Sequence, residues 1–96
     1  MKTKLYKTSH LYLRAWERGI NQSEIDKITK LIKPKLLGKK ARIIIGKEKL
    51  KQLGIKTRES GFVLIAIGKA LVTAFPVDNV FNYLKSQTER INTIIL

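Results

Sequence analysis

Residues 62–75 read FVLIAIGKALVTAF, and the way this stretch folds decides the architecture. Residues 62–67 and 70–75 are apolar at nearly every position and meet at Gly68-Lys69. Glycine at the first central position of a two-residue turn favours a tight antiparallel hairpin. Because both runs are apolar on successive residues, the strands are expected to be central and covered on both sides for much of their length.

Downstream, Pro76 ends the second strand, and Asp78 is placed to cap a C-terminal helix with Val77, Val80, Phe81 and Leu84 turned inward. The tail at 91–96, INTIIL, is too apolar for a free end and is expected to add an edge strand or pack on a partner. Upstream, residues 41–45 (ARIII) form a β-branched run bounded by Gly46, which predicts a strand. Residues 47–54 (KEKLKQLG) fit either a short helix or an extended loop.

The first third of the chain carries helical periodicity instead. From Ser9 to Arg18, Leu11, Tyr12, Leu13, Ala15 and Trp16 fill one broad arc, which places Trp16 and Tyr12 in the core. His10, Arg14, Glu17 and Arg18 share the other arc. Thr8 or Ser9 can cap the start, and Gly19 stops the helix. A second helix opens with the capping-box pair Asn21 and Glu24, flanked by Ile20 and Ile25 at staple spacing. Ile25, Ile28, Leu31 and Ile32 make its buried stripe, and Pro34 ends it. Residues 1–96 therefore predict a single α+β domain: an N-terminal helical hairpin followed by an antiparallel sheet of three to four strands and a C-terminal helix.

Charge bears most directly on function. Twenty Lys and Arg oppose seven Asp and Glu, a net charge of +13. The excess is uneven: residues 1–60 hold 17 basic and 5 acidic groups (net +12), and residues 61–96 hold 3 and 2 (net +1). Self-repulsion on this scale opposes compaction, and a one-sided cationic field attracts phosphate backbones and releases their counterions. RNA is the expected partner, with DNA as the alternative. A Lys-rich surface arising from compositional bias is the competing explanation. An anionic membrane surface fits less well, since a basic helix with an exposed apolar face is the usual device and these apolar faces are needed inside. No apolar run reaches the roughly 20 residues of a bilayer span. MKTKLYKTSH is followed by no apolar stretch with a cleavage site, so no secretory signal is expected. The chain has no cysteine, which excludes disulfides and thiolate metal sites and fits a cytoplasmic location.

The chemistry-bearing residues are few. His10, Arg14 and Arg18 stand at four-residue intervals on one helix face. An imidazole can move a proton to or from a 2′-hydroxyl or a leaving 5′-oxygen, and a guanidinium can clamp the phosphate and stabilise its transition-state charge. A solvated basic helix with one incidental histidine has the same pattern. Thr73, the one hydroxyl in the 70–75 run, fits either a half-buried strand residue or a donor aimed at phosphate. Lys56, Thr57, Arg58 and Ser60 form a polar cluster between Gly54 and Gly61, suited to phosphate contact or to a solvated turn. Tyr6 can stack on a base. Lys33, Lys35, Lys39, Lys40, Arg42, Lys47, Lys49 and Lys51 make the densest cationic segment and are read as backbone-binding charge. No metal-ligating constellation, P-loop, nucleophile elbow or carboxylate pair is visible, so no cofactor is expected.

The stretch SHLYLRAWERGINQSEI, residues 9–25, resembles the opening of small bacterial ribonuclease-toxin domains, which begin with a helix reading His, a few residues, Arg, then Glu-Arg-Gly-Ile, followed by a capped second helix. LVTAFP, residues 71–76, is similar to their late strand, with a hydroxyl residue before an aromatic and a proline. The element order resembles the fold of the barnase, EndoU and RelE-like superfamily. The chain differs from that pattern in a longer helix after Pro76 and in a 62–67 strand without a catalytic-type polar residue. The resemblance implies a metal-independent endoribonuclease of toxin type, with His10, Arg14 and Arg18 at the helix-one positions and Thr73 as the late-strand hydroxyl. It also implies an acidic antitoxin or immunity protein as partner. Lys39, Lys40, Arg42, Lys56 and Arg58 are the expected nucleic-acid contacts. A non-catalytic RNA- or DNA-binding module, or an assembly protein dimerising through its tail, remains open on the residues alone.

Overall fold

The computed structural model describes residues 5–56, 60–87 and 91–96. Along the described residues the elements are β1 (Tyr6–Lys7), α1 (Ser9–Glu17), α2 (Gln22–Thr29), a 3-10 turn (Pro34–Leu36), β2 (Lys40–Gly46), α3 (Lys47–Gln52), β3 (Gly61–Ile67), β4 (Ala70–Val77), α4 (Val80–Ser86) and β5 (Asn92–Ile95). The strands join in one sheet of order β1-β4-β3-β2-β5. The hairpin at Gly68-Lys69 forms as predicted, and β3 lies between β4 and β2, antiparallel to both. β1 and β5 then flank this trio, each parallel to its neighbour.

This arrangement corrects the expected helical hairpin, three- to four-stranded antiparallel sheet and single C-terminal helix. The domain is α+β, but its sheet has five strands and is mixed, and helices lie before, between and after the central strands. The missed strand β1 is two residues long, too short to carry a period-two pattern. It is held by bonds that span the chain: the Tyr6 amide donates to the Lys69 carbonyl at 2.8 Å and the Thr8 amide to the Leu71 carbonyl at 3.2 Å. β5 is the apolar tail, placed as an edge strand beside β2.

Local signals explain the helices. The Thr8 hydroxyl caps α1 by accepting from the Leu11 amide at 3.1 Å. The same hydroxyl donates to the Leu71 carbonyl at 3.1 Å, with the Val72 carbonyl at 3.3 Å, so one side chain joins helix to sheet. α1 ends where Gly19 takes φ +83°, a conformation with little steric penalty only for glycine. There the Ile20 amide reaches the Ala15 carbonyl and the Gly19 amide the Trp16 carbonyl, and Ile20 is driven into the core. The capping box of α2 is present in full: Asn21 Oδ1 accepts from the Glu24 amide at 2.9 Å, and Glu24 Oε1 accepts from the Asn21 amide at 3.0 Å.

The sheet divides two unequal cores. On one face Ala41, Ile43, Ile45, Phe62, Leu64, Ala66, Leu71 and Ala74 pack with Leu11 and Ala15 of α1, Ile25 and Ile28 of α2 and Leu50 of α3. Each fully buried Ile, Leu or Phe contributes roughly 1.5–3 kcal/mol, so this face holds most of the stability. On the other face Ile44, Val63 and Val77 meet Val80, Tyr83 and Leu84 of α4, with Phe75 and Tyr83 in edge-to-face contact. Trp16 is not in the core: it is 70% exposed, and Leu13 is also exposed. The apolar arc read on α1 spans about 200°, wider than one helix can bury against one sheet, and the packing takes the Leu11–Ala15 side.

Candidate nucleic-acid interface

The first turn of α1 hangs from β4 through Thr8, and this positions His10. His10 and Arg14 are both exposed on α1, and Arg14 Nε donates to His10 Nε2 across a long 3.5 Å. Arg14 Nη1 also lies 3.4 Å from Glu17 Oε2. Arg18 is exposed at the C-cap, where its backbone rather than its guanidinium closes the helix. The ridge read from the sequence therefore brings His10 and Arg14 together, with Arg18 beyond the last turn.

Thr73 stands elsewhere. Strict alternation from Leu71, which faces α1, would put Thr73 on the same face. The β3–β4 register instead shifts: Ala66 opposes Leu71 and Ile65 opposes Thr73, leaving Val72 as the extra residue. Such a bulge moves every later side chain to the other face. Thr73 is thus in line with Ile65, Arg42 and Thr93 on the α4 face, opposite to the helices that carry His10 and Arg14.

Arg42 belongs to that row too. Read as a phosphate contact, it is 3% exposed, with its guanidinium carbon 5.9 Å from the centroid of the Tyr83 ring. One cation inside the apolar run ARIII was the available signal: a strand covered on both faces leaves its alternate residues no route to solvent.

The next row outward on the α4 face is Tyr6, Ala70, Ile67 and Lys40. Here Tyr6 is 67% and Ile67 55% exposed, and Lys40 is exposed beside them. The Lys39 carbonyl accepts from the Gly68 amide at 2.7 Å, and the Lys69 carbonyl holds the Tyr6 amide, so exposed Lys39 and Lys69 gather at this same end of the sheet. Lys69 escaped the sequence reading because its only legible role was in the turn. α1 also begins at this end. Lys56 is at the opposite end, past the Gly46–Gly61 pair, about 20 Å away along a seven-residue strand. Arg58 and Thr57, expected beside it, lie outside the described residues.

A brace under the ridge keeps β1, α1 and α2 in register. Lys7 Nζ lies 3.1 Å from Asp26 Oδ1, which also accepts from the Tyr12 hydroxyl at 2.9 Å. The Lys7 hydrogen bond, helped by that of Tyr12, holds the Asp26 carboxyl below its usual range against the opposing effect of burial. The same bond raises Lys7, while burial first and Asp26 second raise the Tyr12 phenol.

Among the described residues no group of three His, Cys, Asp or Glu side chains converges, and no helix is long and apolar enough to cross a membrane. No protein-family model, curated protein or solved structure matches the chain.

Proposed function

We propose that this protein binds RNA at the Tyr6–Lys69 end of its sheet and cleaves it as a metal-independent endoribonuclease of toxin type. The observation that supports this reading is the exposed His10–Arg14 pair on a helix rooted at that same cationic, tyrosine-bearing end. Lys39, Lys40 and Lys69 hold phosphates as point charges, and Tyr6 offers a face on which a base can stack. In the cleavage step His10 takes the proton of a 2′-hydroxyl. The 2′-oxygen forms a bond to the adjacent phosphorus, and the bond from phosphorus to the 5′-oxygen breaks. The leaving oxygen takes a proton from solvent, His10 returns its own to solvent, and a 2′,3′-cyclic phosphate remains. Arg14, released from its long contact with His10, clamps the phosphate and offsets its developing charge. An acidic neutralising protein and a cytoplasmic setting belong to the same proposal.

A non-catalytic RNA- or DNA-binding module is the second reading, favoured by the placement of Thr73 on the face away from His10. Purified protein incubated with total RNA, with and without chelator, separates the two. Under the first reading His10→Ala lowers cleavage at least ~100-fold, the scale of general acid-base catalysis, with binding nearly unchanged. Wild type that binds RNA without shortening it establishes the second, and activity lost in chelator overturns the metal-free step.

A further inference from the structure

The outer side of α1 differs from that of a helix whose only task is to cover a core. Leu11 and Ala15 face the sheet and are buried, whereas His10, Leu13 and Trp16 are all exposed. These three stand at i, i+3 and i+6, so each is the surface neighbour of the next. Trp16 is 70% and Leu13 51% exposed, and among the described residues the indole faces no other aromatic ring. Leaving so large an apolar side chain in water forgoes a large gain from burial. The row begins at the imidazole of the His10–Arg14 pair and ends on the indole, about 9 Å further along the helix axis.

What covers such a row follows from charge and shape. Arg14 and the C-cap Arg18 are exposed on the same helix, and Glu17, its one acidic residue, lies 3.4 Å from Arg14 Nη1. A second copy of the chain would bring another net charge of +13 against this surface. A lipid surface takes a broad apolar helix face, and here Leu11 and Ala15 are already buried and Tyr12 is bonded to Asp26. Unpaired nucleic acid presents flat base faces beside a chain of phosphates, which matches an indole next to exposed guanidinium groups. In a double helix those base faces are closed within the stack.

We infer that Leu13 and Trp16 form a platform for an unpaired base, next to the phosphate that His10 and Arg14 engage. The inference rests on the RNA reading above and narrows it: the substrate class is single-stranded RNA, and Trp16 sets the register of the strand on α1. Stacking uses the face of the base and not its edge, so the platform tolerates any base while rejecting a paired one.

Trp16 is the chain's only tryptophan, so tryptophan emission reports this row directly. The full chain is titrated with a short single-stranded 2′-O-methyl oligoribonucleotide, which has no free 2′-hydroxyl to cleave through, and with its duplex. The single strand should quench the emission saturably, and the duplex should leave it nearly unchanged. By anisotropy of the labelled strand, Trp16→Ala should weaken binding about 5- to 150-fold, the range of one base–aromatic stack, and Trp16→Phe should recover part of it. The salt slope should stay as in wild type, because a stack releases no counterion. Binding of the strand with no change in emission overturns the inference and leaves the RNA reading standing. The same holds for equal quenching by the duplex, for emission that moves with protein concentration alone, and for a blue shift that only anionic vesicles produce. No binding of the strand even at low salt overturns both. Quenching in a chain that never shortens RNA keeps the platform and removes only the cleavage step.

Discussion

Replacing Thr8 by valine keeps the β-branched shape of the side chain and removes only its hydroxyl, which isolates the joint between α1 and the sheet. The backbone bond from the Thr8 amide to the Leu71 carbonyl survives the change. Two interactions are lost. The Leu11 amide, 3.1 Å from the hydroxyl, loses its cap, and an N-cap threonine contributes about 1 kcal/mol. The Leu71 and Val72 carbonyls lose a donor at 3.1 and 3.3 Å, in a half-buried setting where a hydrogen bond contributes about 1 kcal/mol net. The sum is about 2 kcal/mol. For a domain of this size each kcal/mol moves the melting midpoint by about 4–8 °C, so Thr8→Val should lower Tm by roughly 8–16 °C. Thr8→Ser retains the hydroxyl and should recover most of the loss. Paired urea and thermal unfolding of the three proteins reads the effect directly. A Thr8→Val chain within about 0.5 kcal/mol of wild type, or a serine variant as unstable as valine, would show that this hydroxyl does not carry the helix–sheet joint.

Acid stability tests the brace at Asp26. Its carboxyl is held below the usual value, so its contribution is fully present above the unfolded pKa near ~3.9 and disappears as pH falls through the folded one. Wild type should lose more unfolding free energy than Asp26→Asn between pH 5 and pH 2.5, by about 1 kcal/mol or less because Lys7 and Asp26 are both partly solvated. Equal acid slopes in the two proteins would remove the ion pair from the account. Trp16→Ala should leave stability within about 0.5 kcal/mol of wild type, whereas a core tryptophan would cost about 3–5 kcal/mol. Tyr6→Ala should likewise fold normally yet weaken single-stranded RNA binding by about 1–3 kcal/mol, measured by fluorescence anisotropy at fixed salt.

Much of the local structure was readable because its causes lie within a few residues of one another. Asn21 and Glu24 close a box across three positions. Gly19 ends helical periodicity by its own backbone constraint, and two apolar runs around Gly68 make a hairpin. Pro34 does not end α2 as expected: that helix stops at Thr29, and Pro34 opens the 3-10 turn Pro34–Leu36 instead. The uneven charge of the chain is likewise a property of the residues alone. The pairing of His10 with Arg14 follows from one helical turn, and it too was legible. Which side of a broad apolar arc packs is not a local property. Tyr12 stays half-buried through its bond to Asp26, but Trp16 is left in solvent.

The tertiary structure alone decided the sheet's edges and the two sides of the candidate site. β1 and β5 pair in parallel with strands more than 40 residues away, contacts that depend on chain closure and leave no periodic trace in so short a segment. The extra residue at Val72 then reverses the face on which Thr73 stands, separating it from the helix that bears His10 and aligning it with buried Arg42. Sequence by itself determined the Thr8 and Asn21 caps, the Gly19 stop, the central hairpin and the cationic bias, whereas the last helix is capped by Asn79 rather than Asp78. A side chain's face, by contrast, follows from the register of a whole strand against its partner, and a single unpaired residue is enough to invert it.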